Sequence, residues 1–215
     1  MKTLILHPET KQPIGIGDGL YWIKEAPSSI VDVYIKRHHY SCKTTRNRFL
    51  SFIVGADEGF LQLGYGIRPK MKHTITKLIT ADNYCEFDRM WLSDNLPKFS
   101  ESRVIGLLLS YLRQAHRRIK FVITYADGSV GNYGTIYKAT NAIPIGKKKV
   151  DFYQLPDGER IHPVSMWHRH KTRKWKVVSE IYPGIKHITN EYQYKFLYIL
   201  DKKMKKLYMR EKYQG

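Results

Sequence analysis

Two cysteines, Cys42 and Cys85, are the only thiols in 215 residues, too few for the disulfide framework of a small secreted scaffold. A reducing compartment is the simpler reading, and the chain reads as a cytoplasmic protein. Long apolar runs are missing too. The opening MKTLILHPETKQPIG has three apolar residues in a row before His7 and Pro8, which is no secretory signal, and no stretch approaches the ~20 residues that span a bilayer. Acidic residues are scarce: 19 Asp+Glu stand against 37 Lys+Arg, a formal charge of +18. A folded basic chain with 16 Tyr and 4 Trp is suited to a polyanion; a merely soluble basic protein is the plain alternative. The excess is uneven. Residues 147–215 hold 17 basic and 7 acidic side chains, a net +10, which leaves +8 for the rest. A basic rear portion predicts a nucleic-acid-facing surface.

This length supports one ordinary core with at most a small appendage, and no internal repeat is present. Residues 1–27 carry prolines and turn glycines in close succession, which predicts an irregular arm with one short strand. Ser28 or Ser29 then caps a helix over 30–40, where Ile30, Val33, Tyr34 and Arg37 fall at helical spacing. Strands over 49–55 and 60–66 form a hairpin across the Ala56-Asp57-Glu58-Gly59 turn, and 69–80 fits no single pattern. The centre of the chain predicts a strand over 85–92, a helix over 102–118, a buried-type strand over 121–125 and a short helix over 135–141. The long helix is the clearest element, because Ile105, Leu108, Leu109, Leu112 and Ala115 repeat at helical spacing while Arg113, Arg117 and Arg118 crowd its C-terminal end. Farther on, Pro156-Asp157-Gly158 marks a hairpin turn and a late strand covers 194–200. Three regions follow: an arm over 1–27, a core over 28–146, and a basic extension over 147–215 that packs on the core and faces nucleic acid.

Polar residues gather where the central strands end, a common place for α/β proteins to put chemistry. Arg89 sits inside a strand beside Glu86 and Asp88, so it either pairs with a carboxylate or reaches a ligand oxygen by a two-pronged contact. Asp127 ends a strand, where it accepts a proton, holds a metal or simply makes the Asp-Gly turn. Tyr137 donates to a leaving group, stacks on a base or fills the core. Ser100 and Ser102 begin the long helix, as caps or as phosphate contacts. Tyr40 and Trp91 are further stacking candidates. In the run from Trp167 to Lys176, Arg169, Arg173, Lys174 and Lys176 track a phosphate backbone or form a solvated face. A zinc site from His38, His39, Cys42 and Cys85 fits no structural-zinc spacing.

Four blocks in order resemble the Mom family of bacteriophage DNA-modification proteins: His38-His39-Tyr40-Ser41, Glu86-Phe87-Asp88-Arg89-Met90-Trp91, Ser100-Glu101-Ser102-Arg103, and Tyr125-Ala126-Asp127 followed by Gly134-Thr135-Ile136-Tyr137-Lys138-Ala139-Thr140-Asn141. The resemblance implies an α/β (α+β) fold like that of the Gcn5-related N-acyltransferases, a mixed, mostly antiparallel central sheet flanked by helices. It implies conversion of adenine N6 in DNA to a carbamoylmethyl form that resists restriction, in the bacterial host cytoplasm. Tyr40, Arg89, Ser102, Asp127 and Tyr137 become the catalytic candidates, and His39 is preferred over His38 by family position. The resemblance alone implies Fe(II) held by His39, Tyr40 and Asp127. Ser100, Ser102 and Arg103 would hold an acyl donor. A glycine-rich turn is absent, since the first glycine after Pro97 is Gly106, and Glu101 sets negative charge where a pyrophosphate would lie. That departure speaks against acetyl-CoA and toward an activated glycyl or other aminoacyl donor, carried on tRNA. Oligomeric state stays open, a dimer included. So do two other readings: a non-catalytic nucleic-acid-binding protein of this fold, and an N-acyltransferase acting on a protein or small-molecule amine.

Overall fold

The computed structural model of the chain describes residues 1–55, 58–65 and 75–214, so Ala56 and Asp57 of the expected turn and the first part of 69–80 lie outside the described residues. In chain order, the first unit opens with β1 (Thr3–Leu6), β2 (Pro13–Gly17), β3 (Trp22–Glu25) and α1 (Ser28–His38). Next come β4 (Arg48–Val54), β5 (Gly59–Gly64), β6 (Tyr84–Leu92), α2 (Ser100–Ala115) and β7 (Phe121–Asp127). A 3-10 turn at Gly128–Val130 leads to α3 (Thr135–Ala139) and β8 (Ile143–Lys149). The rest is β9 (Phe152–Gln154), β10 (Arg160–Ile161), α4 (Pro163–His170), α5 (Trp175–Ile181), β11 (Lys186–Ile188), β12 (Tyr192–Ile199) and α6 (Lys202–Gln214). Two compact units result: Met1–Tyr125 with Gly134–Ile145 and Phe196–Gly215, and Ala126–Tyr133 with Gly146–Lys195.

The large sheet runs β1-β2-β3-β4-β5-β6-β7-β12-β8. Its neighbours from β1 to β6 pair antiparallel, and β6 pairs with β7 in parallel. The mixed, mostly antiparallel sheet flanked by helices is therefore what forms. A parallel step needs a crossover, and α2 supplies it. Val104, Ile105, Leu107, Leu108, Leu109, Tyr111 and Leu112 of α2 are all buried, each aliphatic side chain contributing about 2 kcal/mol. Tyr111 also ties α2 to the N-terminal strands, its hydroxyl 2.6 Å from Glu25 Oε1 and 2.9 Å from Pro13 O.

Three expectations are corrected. Residues 1–27 form the antiparallel strands β1, β2 and β3, with β3 joined to β4 through Ile23↔Val54. Gly15 looks like a turn residue but sits in β2 because a Cβ there would strike the Ile23 carbonyl across the ladder. The cap of α1 is Pro27, not Ser28 or Ser29, and Ser28 Oγ lies 3.1 Å from Ser51 Oγ instead. The late strand from Phe196 onward and all of α6 belong to the first unit rather than to a rear extension. There Tyr208 is buried in a cluster with Ile79, Tyr84, Phe121, Ile123 and Leu197, against which Met204 and Met209 pack. In the second unit, β9 pairs with β10 across the expected 156–158 turn and with β11 on its other side. Its core is Tyr153, Leu155, Ile161, Met166, Val178 and Ile185.

Gly134 starts α3 at φ +74, and a Cβ there would fall on the Phe196 ring. Gly134→Ala is expected to cost about 2–4 kcal/mol. That is a drop of roughly 5–10 °C in thermal midpoint for a chain of this size; an unchanged midpoint would mean that Phe196 does not hold α3.

Candidate active site

The parallel ladder between β6 and β7 runs from Tyr84↔Phe121 to Phe87↔Thr124 and then stops, while β6 continues to Leu92 paired with β5. At the parting point the buried Thr124 hydroxyl donates to Phe87 O at 3.1 Å. Past this point β7 no longer pairs with β6, and among the described residues no other strand pairs with that edge. The elements around the opening carry His39, Tyr40, Arg89, Trp91 and Tyr137 of the residues singled out from the sequence.

The end of α1 is laid against β6. His38 stacks on Trp91 with ring centroids 4.1 Å apart, and Arg89 Nε donates to Lys43 O at 3.3 Å while Nη1 donates to Asp88 O at 2.8 Å. Arg89 therefore makes no ion pair among the described residues, and Trp91, expected to stack on a base, is already stacked by His38. Of the two histidines, His39 is the buried one, 7% exposed. Burial, reinforced by the Arg89 charge, holds its imidazole down to about 4, so it is neutral at ordinary pH. The Ser41 N–H donates to His39 Nδ1 at 3.2 Å, which places the proton of the neutral ring on Nε2. Tyr40 is 59% exposed, its ring 4.4 Å from that of His39.

Tyr137 projects from α3 and is 7% exposed. Its ring meets Phe87 at 6.4 Å and Phe196 at 5.4 Å. Burial raises its phenol above the ordinary value, a hydrogen bond with Thr124 acts the other way, and Tyr40 adds to the rise. Tyr137 is thus a protonated donor beside the parting point and within electrostatic reach of Tyr40. The structure brings together His39, Tyr40, Arg89 and Tyr137 from three elements.

Glu86 and Asp88 were legible only as neighbours of Arg89. The β5–β6 register shifts between Gln62 and Leu63, leaving Asp88 as the extra residue of a bulge, which re-aims its side chain. Its carboxylate lies over Gly64, where a Cβ would strike it and come within 2.8 Å of Asn47 O. Neither carboxylate has a hydrogen bond among the described residues. Burial pushes Glu86 up to about 7, with Asp88 adding, and pushes Asp88 up to about 6 against the pull of Arg89. Carboxylates poised there exchange protons near neutral pH. Fully buried Gln62, opposite Arg89 in register, accepts from Thr45 Oγ1 at 2.9 Å and donates to Ser51 Oγ at 3.3 Å. No signal in the sequence marks this residue.

Other expected residues are engaged elsewhere. Ser100 is buried, its Oγ 2.7 Å from Tyr21 Oη and bonded to Pro97 O. Ser102 Oγ donates to Phe99 O at 2.9 Å, and Arg103 lies over the Tyr21 ring at 5.8 Å. No side chain caps α2, whose N-cap Phe99 is left-handed at φ 72. In the second unit, Asp127 Oδ1 accepts from Ser129 N at 3.0 Å and from the Ser129 hydroxyl, while Oδ2 lies 3.3 Å from Arg160 Nη1. A metal does not fit this donor set: His39 presents a proton on Nε2, both Asp127 oxygens are occupied, and no three His, Cys, Asp or Glu converge among the described residues. The zinc quartet fails similarly, Cys42 being exposed and Cys85 buried.

The Trp167–Lys176 run spans the end of α4, a turn with Lys171 at φ 55, and the start of α5. Arg169 is forked onto Glu159 by two 3.1 Å bonds, so a phosphate there would compete with that carboxylate. Arg173, Lys174 and Lys176 are exposed without an ion pair among the described residues, beside Trp167 and Trp175, each 45% exposed.

The model of the Mom protein family matches residues 20–214. The methylcarbamoylase mom of Escherichia phage Mu is 32% identical over 158 residues, 72% of this chain and 65% of that protein's length. The chain thus spans just under two thirds of this relative. Among solved structures, the ribosomal-protein-S5-alanine acetyltransferase of Vibrio fischeri superposes with a TM-score of 0.51 at 10% identity, over 88% of this chain and 98% of that one. A probable acetyltransferase of the GNAT family from Chromobacterium violaceum gives 0.50 at 10% identity, over 92% and 90%. At this identity the likeness is one of fold.

The raised Glu86 carboxyl sets a signed pH dependence. Its folded value near 7 exceeds the ordinary 4.5, so ionisation destabilises the fold. The penalty is absent below about pH 4.5, grows through the interval and is complete above about 7. Glu86→Gln is expected to raise stability by about 1–2 kcal/mol at pH 8, after allowance for partial solvation, and by nothing measurable at pH 4.5. Paired melts of both proteins at the two pH values check this, with the His39 contribution cancelling between them. Equal differences at both pH values would refute the burial argument.

Proposed function

The chain belongs to the Mom protein family, and on that premise we propose that it is a DNA-modifying transferase that converts adenine N6 to N6-carbamoylmethyladenine and so protects DNA from restriction. What carries the reading is the opening between β6 and β7, with Arg89, His39, Tyr40 and Tyr137 around it in an acyltransferase fold. In this reading the opening receives the acyl group. Adenine N6 is a weak nucleophile because its lone pair is delocalised into the ring, and in a duplex it is paired and stacked. The base is therefore flipped at a cost of about a few kcal/mol, onto the exposed ring of Tyr40. Glu86 or Asp88 takes a proton near neutral pH, the unused Nη2 of Arg89 steadies the carbonyl oxygen, and Tyr137 donates to the departing group. Asp127, positioned by Ser129 and Arg160, is retained as a catalytic candidate. Ser102 and Arg103 contact the donor at the start of α2. In the second unit Arg173, Lys174 and Lys176 grip phosphates, with Trp167 and Trp175 offering stacking faces.

For the donor we favour an activated glycyl group, supplied on tRNA, over acetyl-CoA. N6 attacks the glycyl carbonyl and the carrier leaves, giving N6-glycyladenine. This is an isomer of N6-carbamoylmethyladenine. The glycyl amine then attacks C6 through a five-membered ring, the old C6–N6 bond breaks, and the original nitrogen departs as the terminal amide.

Nucleoside mass spectrometry of DNA from cells expressing the chain tests the activity. Tyr137→Phe is expected to lower the modified fraction by a factor of about 100 or more while fold and DNA binding stay near normal; near-normal modification would remove Tyr137 from the mechanism. With glycine carrying nitrogen-15, the label is expected at N6 and the old adenine nitrogen in the amide. Unlabelled N6 from a labelled glycine pool would refute the rearrangement.

A further inference from the structure

The first unit carries a basic groove that the proposed chemistry leaves unused. It has two lobes that share Arg113. The inner lobe, about 450 Å³, has Lys2, Lys205, Tyr198 and Thr140 in its walls and no carboxylate among its described residues. The outer lobe, about 380 Å³, runs past the end of α2 toward Arg117, Lys202 and Lys203. The acid among its described residues, Asp201, is already engaged: Oδ2 is 3.4 Å from Lys120 Nζ, and Oδ1 accepts from Met204 N at 2.9 Å. The remaining cations of both lobes have no ion-pair partner among the described residues.

Two of these cations are fixed to the walls. Lys2 Nζ donates to Gly106 O at 2.8 Å and to Ser110 Oγ at 2.9 Å, and Arg113 Nε donates to Leu200 O at 3.3 Å. Others are placed against local stability, since the first turn of α6 carries lysines and no acid, where the helix dipole disfavours positive charge. Asp201 already satisfies that terminus, so the groove itself is the site. From Gly106 to Arg113 α2 rises ~10 Å; measured along a duplex axis, where one strand presents a phosphate every ~3.4 Å, that length covers about three phosphates. The inner wall adjoins the candidate active site: Thr140 follows Tyr137 on the same turn, its Oγ1 is 2.5 Å from Tyr198 Oη, and Tyr198 feels the Tyr137 phenol.

We propose that this groove binds the phosphodiester backbone of duplex DNA beside the base being modified. The inference rests on the reading of the chain as a DNA-modifying transferase and names where that substrate is held. A polyanion explains a groove of unpaired cations, and its place next to Tyr137 favours the strand that carries the target base.

The test is the salt dependence of binding to a duplex oligonucleotide, for the full chain and for Lys202→Ala/Lys203→Ala/Lys205→Ala, all exposed positions. Loss of two or three phosphate contacts is expected to flatten the slope of log K against log salt by about 2 to 3 and to weaken binding at least tenfold near ~0.1 M salt. Arg113→Ala, measured in parallel with its thermal midpoint, is expected to lower affinity further without unfolding. If the unmodified chain binds duplex with a steep salt slope and these variants match it, the groove is wrong and the transferase reading stands. If the unmodified chain fails to bind any DNA, both fall. A loss confined to tRNA, with duplex binding unchanged, overturns the assignment to DNA.

Discussion

The parting of β6 from β7 after Phe87 and Thr124 is the constraint on which the candidate site depends. Two parallel strands that separate leave backbone groups without their ladder, an arrangement that lasts only if other elements fix both sides. The Thr124 hydroxyl closes the last rung onto Phe87 O. β6 is then held from its other edge by β5 as far as Leu92 and from above by the end of α1, through the His38–Trp91 stack and the Arg89–Lys43 bond. α3 is held by a left-handed glycine and by the contact of Tyr137 with Phe87 and Phe196. The same contacts that keep the strands apart place the polar groups, which is why His39, Tyr40, Arg89 and Tyr137 meet although they span about a hundred residues of chain.

Much of this frame was legible in the sequence, for physical reasons that differ by element. α2 announces itself because its packing stripe is its folding code, and only its ends moved: the left-handed Phe99 starts it at Ser100, and His116 ends it with a 3.3 Å bond to Glu25. β6 and β7 read as strands because one alternates and the other is a short apolar run. The N-terminal strands were hidden, since glycines needed for close approach of β2 and β3 look the same as turn glycines until the partner strand is known. α6 was hidden by its lysines: its buried side is little more than Met204, Tyr208 and Met209, too thin a stripe to stand out.

The site was legible in residue type more than in role. Asp127 and Arg169 carry the right chemistry, but each is tied to a partner distant in sequence, Arg160 and Glu159, that no local pattern reveals. Glu86 and Asp88 show the reverse. As letters they are ordinary strand-edge acids, and their perturbation arises from burial at a bulge opposite Gly64, a property of the fold alone.

The distribution of charge connects these observations. Most acids with close partners are spent on neutralisation: Asp32 with Arg48, Asp82 with Arg118, Asp127 with Arg160, Glu159 with Arg169 and Asp201 with Lys120. Surface pairs of this kind contribute little stability, about 0–1 kcal/mol each, and 37 Lys+Arg against 19 Asp+Glu leave a net +18 whichever pairs form. Glu86 and Asp88 differ from these pairs in being partly buried carboxylates without a hydrogen bond among the described residues, beside the opening where a polyanionic substrate would approach. Two fully ionised carboxylates there would repel phosphates, by about 1 kcal/mol per pair at 4 Å even in water and more in a drier cleft. Burial moderates the conflict by letting both carboxyls hold protons close to neutral pH. A proton acceptor can thus sit beside a basic surface with its charge lowered in part, since Glu86 near 7 and Asp88 near 6 exchange protons as the pH passes through neutrality.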